Sequence, residues 1–94
     1  MKKFFRIYCE NGAIIAADYI MQKTAGLVVI GRVMNRDFSE NEMIAIKTES
    51  KNAIFDKVKR IEIDCEKVNA AKQGQLIGIC LNKISKEDLV EYLG

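Results

Sequence analysis

From Leu27 to Met34 the chain is almost wholly apolar and mostly β-branched, and Gly31 breaks that run from within. β-Branched side chains suit extended backbone, and a glycine inside a strand marks a bend, a bulge or a close backbone approach. The pattern returns at Leu76 to Leu81, where Gly78 sits among apolar residues. Shorter runs of the same kind surround these two: Lys3 to Cys9, Ala13 to Ala16, Tyr19 to Lys23, Met43 to Lys47 and Ala53 to Phe55. Val58, Ile61 and Ile63 then stand among charged residues, with a period of two between the isoleucines that predicts a half-buried strand.

Turn signals divide these runs. Asn11-Gly12 predicts a tight hairpin turn, and Thr24-Ala25-Gly26 a bend. Asn35-Arg36-Asp37, Ser39-Glu40-Asn41-Glu42, Lys51-Asn52 and Gln73-Gly74-Gln75 read as polar turns, and Val68 to Lys72 as a helical turn. Ser85 followed by Asp88, ahead of Leu89 and Leu93, has the form of a helix cap and predicts one short C-terminal helical turn. Many short strands with internal glycines favour an all-β fold, a small closed antiparallel barrel of six or seven strands, over a sandwich. Closure also removes the exposed edges that so many apolar strands would otherwise present. The 94 residues are expected to form one domain, 1–94.

Composition narrows the chemistry. The chain has no histidine, so Ser-His and Cys-His nucleophile pairs and histidine metal sites cannot be built within it. Gly26 and Gly31 lack the lysine partner of a phosphate loop, so no nucleotide hydrolysis is expected. Cys9, Cys65 and Cys80 are odd in number and widely spaced, which fits neither a disulfide framework nor a zinc site. Cys80, in an apolar strand, reads as a buried hydrophobe, and the other two lie beside turns. No run is long enough to span a membrane, and Arg6 and Glu10 interrupt any leader-like apolar stretch. The expectation is a cytoplasmic protein that is not an enzyme and needs no cofactor and no metal. An enzyme using Cys9 or Cys65 as nucleophile is the distant alternative.

At Leu27-Val28-Val29-Ile30-Gly31-Arg32-Val33 the sequence resembles the threonine-valine-valine-threonine-glycine-arginine-valine strand in the second domain of elongation factor Tu and its relatives. Ser39-Glu40-Asn41-Glu42 and Met43-Ile44-Ala45-Ile46 then resemble that family's following turn and strand, with Asn41 in place of glycine. Asparagine tolerates the left-handed conformation that a glycine there implies. Val58 to Ile63, Val68 to Ile79 and Ile84 to Leu89 resemble further family segments in the same order, so the resemblance covers about 18–89. It implies a translation-protein barrel standing without its GTPase domain, for which 94 residues leave no room. The family's closing strand after the last motif has no counterpart in Val90 to Gly94, a vacancy that the strand Lys3 to Cys9 is available to fill.

The resemblance also implies a function: such domains hold the aminoacylated end of transfer RNA and touch the ribosome. Glu62 matches an acidic residue of the family's terminal-adenosine pocket, and Arg32 matches the arginine of the glycine-arginine-valine motif, read as structural; both are kept beside the basic residues below as candidate RNA contacts. Three further pocket positions differ, now held by Gln22, by Thr24-Ala25-Gly26 and by Leu76. Lys57, Lys59, Arg60, Lys83 and Lys86 are candidates for one phosphate-contacting patch, diluted by Glu62, Asp64, Glu66 and Glu87. A net charge of +2 neither requires nor forbids such a patch. The aromatic residues, Phe4, Phe5, Tyr8, Tyr19, Phe38, Phe55 and Tyr92, are dispersed and read as core or rim, which disfavours a base-stacking reader of single strands. The expected partner is transfer RNA or ribosomal RNA; the alternative is a protein partner or a second copy of the chain.

Overall fold

The computed structural model describes residues 5–24, 26–47 and 53–92. The expected turn at Lys51-Asn52, and Lys3, Phe4, Ala25 and Leu93 of other expected elements, lie outside the described residues.

The strands are β1 (Phe5–Cys9), β2 (Ile14–Lys23), β3 (Gly26–Val33), β4 (Phe38–Ser39), β5 (Met43–Lys47), β6 (Ile54–Ile63), β7 (Glu66–Val68), β8 (Ala70–Ala71) and β9 (Leu76–Leu81). Antiparallel pairing runs β5-β1-β2-β3-β9-β6, and β5 then pairs with β6 to close a six-stranded barrel. β7 extends β6 on the outside, and β4 and β8 form a separate two-stranded ribbon. The N-terminal strand does complete the wall: Ile7 pairs with Ile15 of β2 on one side and Ile46 of β5 on the other.

Alternation puts one face of each strand inside. Ile7, Ile15, Val29, Val33, Ile44, Ile46, Val58, Ile61, Ile77 and Ile79 fill the barrel, with Phe38 from the β4–β8 ribbon packed against them. Two 3-10 turns over Lys86–Tyr92 meet at Leu89, which is wholly buried and joins the core. Burying a leucine stabilises by about 1.5–3 kcal/mol, enough to hold a segment too short to be helical alone.

Three expectations change in detail. Asn11-Gly12 is not a two-residue turn: Cys9 N–H donates to Ala13 O at 2.8 Å, so Glu10 to Gly12 form a three-residue loop. Only Gly12 has positive φ there, while the Asn11 side chain accepts the Ala13 N–H at 2.8 Å. The runs expected at Ala13–Ala16 and Tyr19–Lys23 fall, from Ile14 on, in one strand, β2, which passes an irregularity between Ala17 and Tyr19. The stretch Val68 to Lys72 contains no helical turn; it ends β7 and supplies β8, where Ala71 pairs with Phe38. Propensity favoured helix at Ala70-Ala71, and pairing to bury Phe38 overrode it.

Gly31 has its reason in the β2 irregularity. A Cβ placed on it would lie 2.5 Å from Ala16 O and 2.9 Å from the Ile15 side chain. Asn41 has φ 71, the left-handed conformation its place in the turn implied.

Candidate nucleic-acid interface

β6 carries the cations. It pairs with β9 as Val58 with Leu81 and Arg60 with Cys80, so one extra residue is accommodated between Val58 and Arg60. That bulge interrupts the alternation of faces. Lys57, Lys59 and Arg60 are therefore all exposed on the outer wall, while Val58 and Ile61 stay inside. A regular strand would have turned either Lys59 or Arg60 toward the core.

Around Arg60 the outer wall forms a small charged site. Arg60 Nε lies 3.1 Å from Glu62 Oε2, and Lys23 Nζ of β2 lies 3.5 Å from Glu62 Oε1. The Glu62 side chain is only 14% exposed. Beneath these groups lie Val28 and Cys80, buried on the outside of the sheet and separate from the barrel core. Burial and the Glu62 charge push the Cys80 thiol up, against the opposing pull of Arg60, Lys23 and Lys59.

On the other side of Glu62 is a hollow of about 290 Å³ bounded by Tyr19, Met21, Ile30, Asp64 and Leu76. Its floor follows one cross-strand row, Tyr19–Ile30–Gly78–Glu62. Gly78 keeps that floor open: a Cβ there would come within 3.2 Å of Val28 and 3.3 Å of Ile30. Glu62 and Leu76 thus share one hollow, whereas Gln22 and Thr24 do not line it.

The remaining candidates divide. Lys83 lies with Lys57 beside a second hollow, along with Met43 and Phe55. Among the described residues, Lys57, Lys59 and Lys83 form no ion pair. Lys86 is exposed at the start of the 3-10 segment, three residues beyond Lys83. Arg32 stands apart from the other candidate RNA contacts: its Nη1 donates to Gly74 O at 2.7 Å, tying β3 to the turn before β9. Sequence reasoning missed Lys23, which comes to Glu62 only because β2 runs long and crosses the sheet.

Two further features were not foreseen. Asp56 is buried, and its carboxylate accepts the backbone N–H groups of Asn82, Lys83 and Ile84 as well as that of Lys57. It holds the segment carrying Lys83 against β6. Cys9 is buried near Glu42, and burial followed by that charge pushes its thiol up to about 12. Such a thiol holds almost no thiolate at neutral pH and is a poor nucleophile. Among the described residues no group of three or more histidine, cysteine, aspartate or glutamate side chains could hold a metal ion. Nor is any helix among them long and apolar enough to cross a membrane.

The chain matches no protein-family model, and no curated protein is significantly similar to it in sequence.

Proposed function

We propose that this barrel is a non-catalytic RNA-binding module of the translation apparatus, contacting transfer RNA or ribosomal RNA through backbone phosphates. The observation that carries the reading is the bulge in β6, which sets Lys57, Lys59 and Arg60 side by side on the outer wall. Lys83, clamped by Asp56, and Lys23 extend the positive surface, and within it Glu62 is the acid that pairs with Lys23 and Arg60. Cations arranged this way bind phosphates with little dependence on sequence and strong dependence on salt. The link to translation rests on the resemblance to the second domain of translational GTPases. An exposed Cys65 thiol fits a reducing, cytoplasmic setting.

A second reading, a protein-interaction adaptor, has its own observation: Tyr19, Met21 and Leu76 are exposed around the Glu62 hollow. Apolar rims of that kind also suit a protein partner or a second copy.

Fluorescence anisotropy with bulk transfer RNA across a salt series separates the two. Saturable binding that weakens steeply as salt rises is expected, with alanine at Lys59, Arg60 and Lys83 each reducing the salt slope by about 1. Absence of binding at low salt overturns the RNA reading and directs attention to the apolar rim.

A further inference from the structure

Phe55 is 70% exposed, more than any other large apolar side chain among the described residues. It stands on the barrel's outer wall because its neighbour Asp56 takes the inward position. Outward rows on β1, β5 and β6 place it at the centre of a patch: Tyr8–Ala45–Phe55 form one row, Arg6–Lys47 the next, and Met43–Lys57 the row on the other side. Lys83 joins Phe55, Met43 and Lys57 around one hollow. Four cations therefore ring one open aromatic face. Lys47 Nζ lies over the Tyr8 ring at 5.1 Å, which leaves the Phe55 ring as the patch's open face. Of the acids nearby among the described residues, Glu10 borders only the Met43 end, and Asp56 is turned inward and occupied by backbone N–H groups.

We infer that Phe55 is a stacking platform for one base of a single-stranded RNA segment, whose flanking phosphates meet Arg6 and Lys47 on one side and Lys57 and Lys83 on the other. This rests on the RNA-binding reading above and adds a contact that phosphates alone do not provide. Charge complementarity selects a polyanion, and the shape of the patch selects a base over a peptide anchor. The hollow beside the ring is only about 190 Å³, below the roughly 300–1,000 Å³ of sites that enclose a ligand group. A base needs only a flat ring with cations beside it, and every base has such a face. Dispersed aromatic residues disfavour a stacking reader only where they are core or rim. Phe5 and Phe38 are indeed buried, but Phe55 is not.

The chain contains no tryptophan, so Phe55→Trp introduces a single reporter at the platform. Its fluorescence should be quenched saturably by a 12-mer of adenylate. In anisotropy with the same labelled RNA, Phe55→Ala should lose about fivefold or more in affinity with an unchanged salt slope. Phe55→Trp should retain affinity, and Lys57→Ala with Lys83→Ala should flatten the salt slope. Being exposed, position 55 tolerates truncation, which an unchanged thermal melt verifies. Wild-type affinity in Phe55→Ala, with salt-sensitive binding intact, overturns the stacking role and leaves the phosphate reading standing. Failure of the wild-type protein to bind either this RNA or transfer RNA overturns both. If Phe55→Ala instead dissolves a dimer, or abolishes binding of a glutamate-rich, phenylalanine-containing peptide while RNA binding is unaffected, the patch is a protein interface and the inference fails.

Discussion

Asp56 Oδ2 accepts the backbone N–H of Ile84 at 2.8 Å, joining β6 to the segment that follows β9. The same carboxylate takes N–H groups from Asn82 and Lys83 at 3.1 and 2.9 Å. A charged group this deeply buried is tolerable only when its lone pairs are satisfied, and here the turn after β9 is wrapped around it. The arrangement fixes Lys83 beside Lys57 and gives Leu89 its approach to the core.

Asp56→Ala should therefore lower stability by about 2–4 kcal/mol, because the buried Ile84 N–H and the part-buried N–H groups of Asn82 and Lys83 lose their acceptor at once. Asp56→Asn should recover only part of that, since its amide NH₂ would face donors. Urea denaturation followed by circular dichroism measures both. A loss under about 0.5 kcal/mol, typical of surface positions, would mean that the turn holds its shape without the carboxylate.

The β6–β7 turn stores strain that a single change should relieve. Ile63 pairs with Glu66, so Asp64 and Cys65 are the two turn residues, with φ 52 and 66. A turn of this type favours glycine, above all at its second position. Cys65→Gly should stabilise by about 0.5–1 kcal/mol, the left-handed penalty of cysteine less the chain entropy that glycine adds. A thermal melt shifted downward would show that the cysteine makes a compensating contact.

The glycines separate steric need from conformational need. Gly31 has an ordinary strand conformation, but a Cβ on it would lie 2.5 Å from the Ala16 carbonyl oxygen. Gly74 has φ +89 and open space around it. Gly74→Ala should cost about 1 kcal/mol from backbone strain alone. Gly31→Ala should cost more, because β2 and β3 must separate where they pair. Equal denaturation midpoints for the two variants would contradict this division.

Much of the barrel was legible because burial writes a period of two into its strands, and Leu27 to Val33 and Leu76 to Leu81 appear almost where their patterns place them. Closure by β1 was not legible from Phe5–Cys9 alone. Pairing of that strand with both β2 and β5 is a property of the assembled sheet. The short strands β7 and β8 escaped for the same reason, since Ala70-Ala71 is extended only to cover Phe38. At the candidate interface, Lys57, Lys59, Arg60 and Lys83 were readable as charges. The bulge that turns Lys59 and Arg60 the same way was hidden, and so was the arrival of Lys23 at Glu62 from a distant strand. Whether Phe55 belongs to the core or the rim was not legible, because alternation alone does not say which face of β6 is inward. Asp56, a charge on the inward face, obscured the phase.

The buried Cys9 thiol makes stability depend on alkaline pH. Its folded pKa is raised from 9.0 to about 12, so between those values the unfolded chain releases a proton that the folded chain keeps. Stability from this source is fully present below pH 9 and is lost as pH rises. At pH 10 the loss should be about 1.4 kcal/mol. Lysines and tyrosines titrate nearby, so the measured quantity is the stability difference between wild type and Cys9→Ala. That difference should shift by about this amount between pH 7 and pH 10, and a constant difference would place the thiol in contact with solvent.

Glu62 offers the sharpest test of how the charged wall works. Its carboxylate holds Arg60 at 3.1 Å and Lys23 at 3.5 Å, so it neutralises part of the surface that phosphates are proposed to meet. Glu62→Gln keeps the shape, removes the negative charge and releases both cations. If phosphates bind there, affinity for transfer RNA should rise by about threefold to tenfold at low salt, with the salt slope steeper by about 1. The gain should shrink at high salt, where exposed charges are screened. Unfolding should change by less than about 1 kcal/mol, because Lys23 and Arg60 are themselves solvated and the amide oxygen of glutamine still accepts from them. If Glu62→Gln instead weakens binding at every salt concentration, the carboxylate itself contacts the RNA. The hollow it shares with Leu76, rather than the phosphate wall, would then be the centre of the site.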